Sequence, residues 1–373
     1  MSEDLKQRRM HANRNADRIL SGVRPKTMRE RLAAFEAGGD LDGFPDHYGT
    51  GPITVLEERV AALLGKPAAV FFPTGTMAQQ VALRFGADRS GIRTAALHPL
   101  GHQEMYERRA YAQLSGLQSV HPTSAPRNPD AAEIRALADP VGTVVFELPM
   151  REAGFVLPGW DELTAATEAA REIGARVHFD GARLWESTTH LGHSLPEIAA
   201  LADSVYVSFY KSLDGISGAV LAGTEELAEY ARVWRHRYGG LAFQAWPAAL
   251  AALAGLDREL PRLPEYVRHA RTIADALAEL PGARVFPHPP HTHQFRLWLP
   301  YPADALAEAT LTLAERERIW FADYWSDADV PGYALTEVTV TGHALEWTAE
   351  DVSAAGWLLL QELDQSFPAP EPD

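Results

Sequence analysis

The feature that most constrains the fold is an alternation of short, continuously apolar segments with helical segments. We predict buried strands in AAVFF (68–72), TVVFEL (143–148), ARVHFD (175–180) and SVYVSF (204–209), with helices between them. Strands that are apolar on both faces are typical of a parallel sheet covered by helices on both sides. The sequence therefore predicts an α/β fold with a mostly parallel sheet.

The pattern changes after about Leu256, where helices alternate with fewer strand-like segments. We expect a helical N-terminal arm (1–45), a large domain (46–256), a smaller C-terminal α/β domain (257–366) and a tail (367–373).

Composition limits the function. The 373 residues carry a formal net charge of −16, which argues against nucleic acid or an anionic membrane as the main partner. Because the chain has no cysteine, it forms no disulfide and has no cysteine nucleophile or cysteine-ligated metal. The longest apolar run is too short to cross a bilayer. We expect a cytoplasmic protein that acts on a small molecule.

The first candidate site residues follow the strand AAVFF. In open parallel sheets, ligands bind beyond the carboxyl ends of the strands. Gly75 and Thr76 stand where this strand turns into a helix, and free amides with a hydroxyl at a helix start suit a phosphate dianion. A tight turn with a capping threonine would give the same pattern.

Charged residues also follow the next strand ends. Asp180 can cap a helix or hold a proton on a ring nitrogen, and Arg183 can bind a carboxylate or form an ion pair. Lys211 ends a buried strand, where partial burial would lower its pKa toward that of a Schiff-base amine. His102 opens a helix-like stretch, where its ring could stack on an aromatic ring or move a proton.

A phosphate cradle, a ring-nitrogen carboxylate and a Schiff-base lysine, in this order along the chain, are together the requirements of pyridoxal 5'-phosphate (PLP). A second constellation is the tract HPPHTHQF, with His288, His291 and His293. Three imidazoles this close could bind a metal. The prolines favour a loop, so we predict no metal site and expect His293 to point into the pocket.

Five motifs carry a family resemblance: YGTGPITVLEERVAALLGKPAAVFFPTGTMAQ, GHQEMYE, HFDGAR, SFYKSLDGISGAVLAG and WRHRYGG. They span about Tyr48 to Gly240. On these motifs the chain resembles the threonine aldolases, within the β-eliminating lyase group of fold type I PLP enzymes.

The resemblance implies roles for individual residues. Lys211 would hold the cofactor as an aldimine, Asp180 would pair with the pyridine nitrogen, His102 would stack on the ring, and Gly75 and Thr76 would bind the phosphate. It also implies a homodimer or homotetramer with the active site near the subunit interface. Arg183 and Ser208 would contact the cofactor, Arg183 could also contact the substrate carboxylate, and the loop around Tyr48 would approach the substrate. Arg183, Arg235 and His293 are the candidate cations for the substrate where the usual arginine is missing.

Two departures concern the substrate. Met150 stands near the place of a second active-site histidine, and the late strand has Glu337 where the family usually has an arginine for the substrate carboxylate. We expect a PLP-dependent lyase, with aldol-type Cα–Cβ cleavage of a β-hydroxy amino acid as the first interpretation. Transamination, racemisation, β-elimination on another amine, and a binding protein on a decayed PLP fold are the alternatives.

Overall fold

The computed structural model describes residues 3–38 and 41–366, so the predicted tail (367–373) lies outside the described residues. Two compact units are present. One contains the chain up to Arg31 and from Leu263 onward, and the other runs from Leu32 to Arg262.

The helices begin and end as follows: α1 Glu3–Asn15, α2 Met28–Gly38, α3 Pro52–Leu64, α4 Gly75–Ser90, α5 His102–Met105, α6 Ala110–Ser115, α7 Ala131–Arg135, α8 Trp160–Glu172, α9 Thr188–Leu191, α10 Leu195–Ala200, α11 Glu225–Arg237, α12 Trp246–Arg258, α13 Leu263–Ala278, α14 Ala303–Glu317 and α15 Ala349–Ser366.

The strands are β1 Arg18–Ile19, β2 Ala68–Phe72, β3 Thr94–Ala96, β4 Gln118–Val120, β5 Thr143–Glu147, β6 Arg176–Gly181, β7 Ser204–Ser208, β8 Ala219–Gly223, β9 Arg284–Phe286, β10 Gln294–Leu299, β11 Ile319–Trp320, β12 Ser326–Asp327 and β13 Ala334–Thr339.

The large unit is built on a seven-stranded sheet in the order β2-β8-β7-β6-β5-β3-β4. Strands β7, β6, β5, β3 and β4 pair in parallel, which confirms the predicted mostly parallel sheet. Strand β8 is antiparallel to both neighbours. The physical reason is the short connection 209–218, since a parallel partner of β7 would need a long crossover.

Burial of the sheet explains its sequence. Every residue of β2, β5, β7 and β8 is buried, as expected of strands packed on both faces. Val70 and Phe72 of β2 share one apolar cluster with Val81 and Phe85 of α4 and with Ala231 of α11. This packing fixes the start of α4 at the end of β2.

The other unit contains a four-stranded antiparallel sheet in the order β12-β13-β10-β9, with α13, α14 and α15. The N-terminal segment joins this unit, because β1 pairs in parallel with β11. The sequence pattern did not indicate β1 or β12, since strands of two residues are too short to have a period. No helix among residues 3–38 and 41–366 is long and apolar enough to cross a membrane.

Candidate active site

A cavity of about 170 Å³ opens at the carboxyl ends of the central strands of the large unit. Strand β5 ends at Glu147, β6 reaches Asp180, and Lys211 follows β7. The predicted residues His102, Asp180 and Lys211 therefore meet here with Arg183. The cavity is lined by His102, Tyr106, Glu147, Pro149, Arg151, Glu152, Asp180, Ala182, Arg183 and Lys211.

Asp180 is buried and oriented by its neighbours. Gln103 donates its side-chain N–H to Asp180 Oδ2 at 2.8 Å, and the Ala182 amide donates to Oδ1 at 3.3 Å. Gly181 allows this turn, because a Cβ there would come within 2.7 Å of the Tyr206 carbonyl oxygen. The sequence reasoning missed Gln103, although its position directly after His102 places it in a predicted motif.

Lys211 follows β7 on the turn that leads into β8. Burial lowers the pKa of Lys211 to about 8, and the nearby charge of Arg183 adds to this effect. Asp180 and Glu147 act in the opposite direction. About a tenth of the amine is thus neutral at pH 7, and the direction of the shift is the one the sequence led us to expect.

Glu147 links the end of β5 to two backbone segments. Its Oε2 accepts the His102 amide at 3.0 Å, and its Oε1 accepts the Arg151 amide at 3.2 Å. Burial raises the pKa of Glu147 to about 7, and the neighbouring charge of Asp180 adds to the rise. Burial also lowers the pKa of His102, so this imidazole is neutral at pH 7. We call His102, Glu147, Asp180 and Lys211 the Asp180 cluster.

Helix α4 begins at Gly75, directly beyond β2. The Thr74 hydroxyl caps the helix by accepting the Met77 amide at 3.4 Å. The amides of Gly75 and Thr76 lie in the first turn and have no carbonyl acceptor within the helix. Gly75 has to be a glycine, because a Cβ there would collide with the Tyr206 hydroxyl. This geometry provides two backbone donors for an anion.

A second group of polar side chains lines the cavity. Tyr106 donates its hydroxyl to Glu152 Oε1 at 2.6 Å, and Arg151 Nη1 donates to the same oxygen at 3.1 Å. Nearly half of Tyr106 is exposed (49%). We call Tyr106, Arg151 and Glu152 the Tyr106 cluster. Sequence reasoning singled out none of the three residues.

The burial of Met150 accompanies the placement of Arg151 and Glu152 at the cavity. The Met150 side chain is fully buried in a small apolar cluster with Ala153 and Val156, and its backbone amide donates to the Val156 carbonyl in an isolated β-bridge. The next two residues, Arg151 and Glu152, line the cavity instead. The departure noted in the sequence was the apolar Met150 near the place of a histidine, and the structure provides polar side chains one and two positions later.

Two other predicted residues of the large unit form hydrogen bonds with other residues of the same unit. The Ser208 hydroxyl donates to the Ala182 carbonyl at 2.7 Å. Arg235 is buried, and its Nη1 donates to Glu57 Oε1 at 3.2 Å and to the Phe71 carbonyl at 2.8 Å. Neither residue lines the cavity described above.

Tyr48 has an exposed side chain and stands with a positive φ of 52° in the loop before α3. Its ring meets the Phe243 ring edge-on, with centroids 5.3 Å apart. Tyr48 is also absent from the lining of this cavity.

The histidine tract lies in the other unit. His293 is buried, with its ring edge-on to Tyr266, and His288 pairs with Asp275 at 2.8 Å. Across the described ranges 3–38 and 41–366, no group of three or more histidine, aspartate and glutamate residues is arranged to hold a metal ion.

The same unit contains Glu337. On β13 it stands opposite Arg296 of β10, and Arg296 Nη2 lies 3.8 Å from Glu337 Oε1. An arginine is therefore present on this sheet, one strand away from the position at which the family pattern has it.

The donor set of the large unit fits PLP. A buried carboxylate on β6, a lysine with a lowered pKa after β7 and two helix-start amides after β2 all follow strands of one sheet, and Gly75 leaves room that a side chain would fill. Fold and site together define a PLP-dependent enzyme.

Comparison with known proteins identifies the family. The β-eliminating lyase family model matches residues 24–298, so the chain belongs to the β-eliminating lyase family. It is 28% identical over 271 residues to low-specificity L-threonine aldolase 1 of Arabidopsis thaliana, covering 69% of this chain and 73% of that protein.

Two solved structures are similar over nearly the whole chain. A protein described as an L-allo-threonine aldolase from Listeria monocytogenes superposes with a TM-score of 0.89 at 32% identity, covering 96% of this chain and 99% of the other. A protein described as an aromatic amino acid β-eliminating lyase/threonine aldolase from Exiguobacterium gives 0.88 at 35%, covering 95% and 99%. They confirm the expected fold class.

Proposed function

We propose that this chain cleaves the Cα–Cβ bond of a β-hydroxy amino acid with PLP, and that Lys211 holds the cofactor. The observation that carries the proposal is the convergence of Lys211, Asp180 and His102 on one cavity. The threonine aldolase names of the Arabidopsis and Listeria proteins support this choice among PLP reactions.

Bound PLP supplies an electron sink for the pair released when a bond to Cα breaks. Asp180 holds the proton of the ring nitrogen, because its buried carboxylate is fixed by Gln103. The amides of Gly75 and Thr76 bind the phosphate, and the imidazole of His102 packs against the ring.

Lys211 acts twice in this scheme. Its lowered pKa leaves part of the amine neutral near pH 7, and only the neutral nitrogen is a nucleophile toward the cofactor's aldehyde carbon. When its amine is not attached to the cofactor, Lys211 Nζ would be the group that returns a proton to Cα.

His102 is the proposed acceptor of the β-hydroxyl proton. Burial lowers its pKa, so a neutral ring nitrogen can take this proton as the Cα–Cβ bond breaks and the β-carbon leaves as an aldehyde. Glu147 positions His102 by accepting its backbone amide.

Arg183 is the proposed partner of the substrate carboxylate. Both Arg183 and Arg151 line the cavity, but the Arg151 guanidinium already donates to Glu152 within the Tyr106 cluster. Arg183 stands three residues after Asp180, beside the proposed cofactor site. A carboxylate bound there accepts charge-assisted hydrogen bonds.

The second candidate function is β-elimination. The name of the Exiguobacterium protein includes this activity, which needs the same lysine and ring-nitrogen carboxylate. The products separate the two functions, since aldol cleavage of a β-hydroxy amino acid gives glycine and an aldehyde, whereas elimination gives ammonia and a 2-oxo acid.

The decisive experiment is a product assay with the PLP-loaded protein. L- and D-threonine, both allo-threonines, phenylserine and serine are tested in parallel, with Lys211→Ala as the control. We expect glycine and an aldehyde from at least one β-hydroxy amino acid. Ammonia and a 2-oxo acid would favour elimination, and bound PLP without either product would contradict both functions.

We also propose a cytoplasmic homodimer or homotetramer. The large unit exposes apolar side chains around one open cavity, among them Leu41, Phe44 and Val55 beside Trp246 and Leu250. Phe44 is 94% exposed, which is unusual for a phenylalanine in a monomer. Sedimentation tests the assembly, and cell fractionation tests the compartment. A monomer at micromolar concentration would contradict the assembly.

A further inference from the structure

The turn between β7 and β8 carries Lys211, and its far side is held loosely. The Gly215 amide closes the turn by donating to the Phe209 carbonyl at 2.8 Å. Beyond it, Asp214 accepts from Arg258 Nη2 at 2.9 Å, in an ion pair whose arginine side chain is 44% exposed. Because an ion pair that exposed contributes little to stability, the position of Lys211 depends on contacts at the near side of the turn.

The near side of the turn is joined to the segment that leaves β6. A single 3₁₀ turn follows β6 and contains two side chains that reach the Lys211 turn. Trp185 Nε1 donates to the Ser208 carbonyl at 2.9 Å, and the Ser212 hydroxyl donates to Glu186 Oε2 at 2.6 Å. These two hydrogen bonds hold the chain at one point before Lys211 and at one directly after it.

Both side chains of the 3₁₀ turn lie in the interior. Trp185 and Glu186 are each 1% exposed, and the Trp185 ring stacks on the Phe209 ring with centroids 6.4 Å apart. A buried carboxylate requires hydrogen-bond donors, because it has lost its contact with water. The Ser212 hydroxyl is such a donor, so its position opposite Glu186 is well defined.

The same segment also contacts Asp180. The Ala182 amide donates to Asp180 Oδ1 at 3.3 Å, and the Ala182 carbonyl accepts from the Ser208 hydroxyl at 2.7 Å. One short segment therefore holds the carboxylate at the end of β6 and the chain on both sides of Lys211. The separation between Asp180 and Lys211 is fixed through this segment.

We propose that Glu186 and Ser212 are positioning residues, whose hydrogen bond holds the Lys211 amine at the place from which it attaches to PLP. Neither residue lines the cavity, so they act through the position of the turn. A reacting group that is misplaced by about 1 Å can lose about a hundredfold in rate. The inference rests on the proposed function in taking Lys211 to be the residue that holds the cofactor.

The test compares covalent attachment with reversible binding in Ser212→Ala. Stopped-flow absorbance follows the rate at which PLP attaches to the PLP-free full-length chain. Calorimetry gives the dissociation constant of pyridoxine 5'-phosphate, which has no aldehyde and cannot attach. We expect attachment to slow by roughly tenfold or more, with the dissociation constant unchanged. A general loss of structure would weaken both.

Conservative variants show whether the hydrogen bond is the cause. Ser212→Thr keeps the hydroxyl, and Glu186→Gln keeps an acceptor oxygen, so both should attach PLP at close to the wild-type rate. Ser194→Ala is the matched control, since it removes a serine–glutamate hydrogen bond of 2.5 Å to Glu197 on α10. It should leave both measurements unchanged.

Trp185→Phe gives an independent test if Ser212→Ala does not fold. It removes the hydrogen bond to the Ser208 carbonyl but keeps an aromatic ring, and it should also slow attachment without weakening reversible binding. Attachment at the wild-type rate in Ser212→Ala, an equal loss of attachment and binding, or equal slowing in Ser212→Thr would overturn the proposal. Normal attachment in the wild type without cleavage or elimination products would contradict only the proposed reaction. Attachment at another lysine would overturn both.

Discussion

The Asp180 cluster and the Tyr106 cluster face the same cavity, but their charges are held in different ways. Asp180 and Glu147 are buried, and each accepts a hydrogen bond from a residue far away in the sequence. Gln103 donates to Asp180, and the His102 amide donates to Glu147. In the Tyr106 cluster, Arg151 and the Tyr106 hydroxyl share one oxygen of Glu152 near the protein surface.

This difference indicates where the chain can vary. A buried carboxylate that loses its partners is costly, so the Asp180 cluster tolerates little change. A partly exposed ion pair contributes little to stability and can be replaced. We therefore propose that the Asp180 cluster carries the cofactor chemistry and that the residues around the Tyr106 cluster determine the choice of substrate.

The largest effect should come from Lys211→Ala. In the proposed function the Lys211 amine both attaches the cofactor and returns a proton to Cα, so we expect the rate to fall by at least about a thousandfold. Steady-state aldehyde release measures this. Lys66→Ala, at a lysine that donates to the Ala202 carbonyl, is the matched control and should stay within a few fold of wild type.

Asp180→Asn comes next. The amide keeps the shape and can still accept from Gln103, but it has no charge to hold the ring-nitrogen proton. We expect kcat to fall by about a hundredfold or more with little change in KM. A change in KM alone would mean that Asp180 acts on the substrate. It would contradict the division between a cofactor cluster and a substrate cluster.

Variants of the two arginines that line the cavity test whether the two clusters have separate functions. Removing a charged hydrogen bond to a substrate carboxylate costs about 1.5–3 kcal/mol, so Arg183→Gln should raise KM by about ten- to a hundredfold. Arg151→Gln should change the preference among β-hydroxy amino acids more than the KM of any one of them. Equal effects of both variants would show that the clusters are not separate in function.

The smallest predicted effect is the change with pH in the rate at which PLP is loaded. Lys211 must be neutral to react with the cofactor aldehyde, and its pKa is about 8 because it is buried. About a tenth of it is neutral at pH 7 and about nine-tenths at pH 9, so PLP should load roughly tenfold faster at pH 9. Stopped-flow absorbance measures the rate, and a rate that climbs only above pH 10 would contradict the lowered pKa.

The fold was largely predictable because its strands are local patterns. Five apolar residues followed by Gly75 and Thr76 indicate a strand that turns into a helix, and the structure has this turn. The antiparallel direction of β8 could not be read from the sequence, since apolar strands of either direction look alike. It depends on how the short turn after Lys211 folds back.

The site was less predictable where it depends on contacts between distant residues. Gln103 reaches Asp180 across 77 residues of chain, and Arg235 reaches Glu57 across 178. Arg151 and Glu152 line the cavity because Met150 is buried beside them. Side-chain direction in an irregular loop has no period that a sequence could reveal.

The measurement that tests the account most directly is the site of cofactor attachment. The chain has four lysines, Lys6, Lys26, Lys66 and Lys211. Borohydride reduction of the PLP-loaded protein, followed by peptide mass spectrometry, places the pyridoxyl group on one of them. We predict labelling of Lys211, at one group per chain and absent from Lys211→Ala. Labelling of Lys66 or of several lysines, with Lys211 unmodified, would contradict the account.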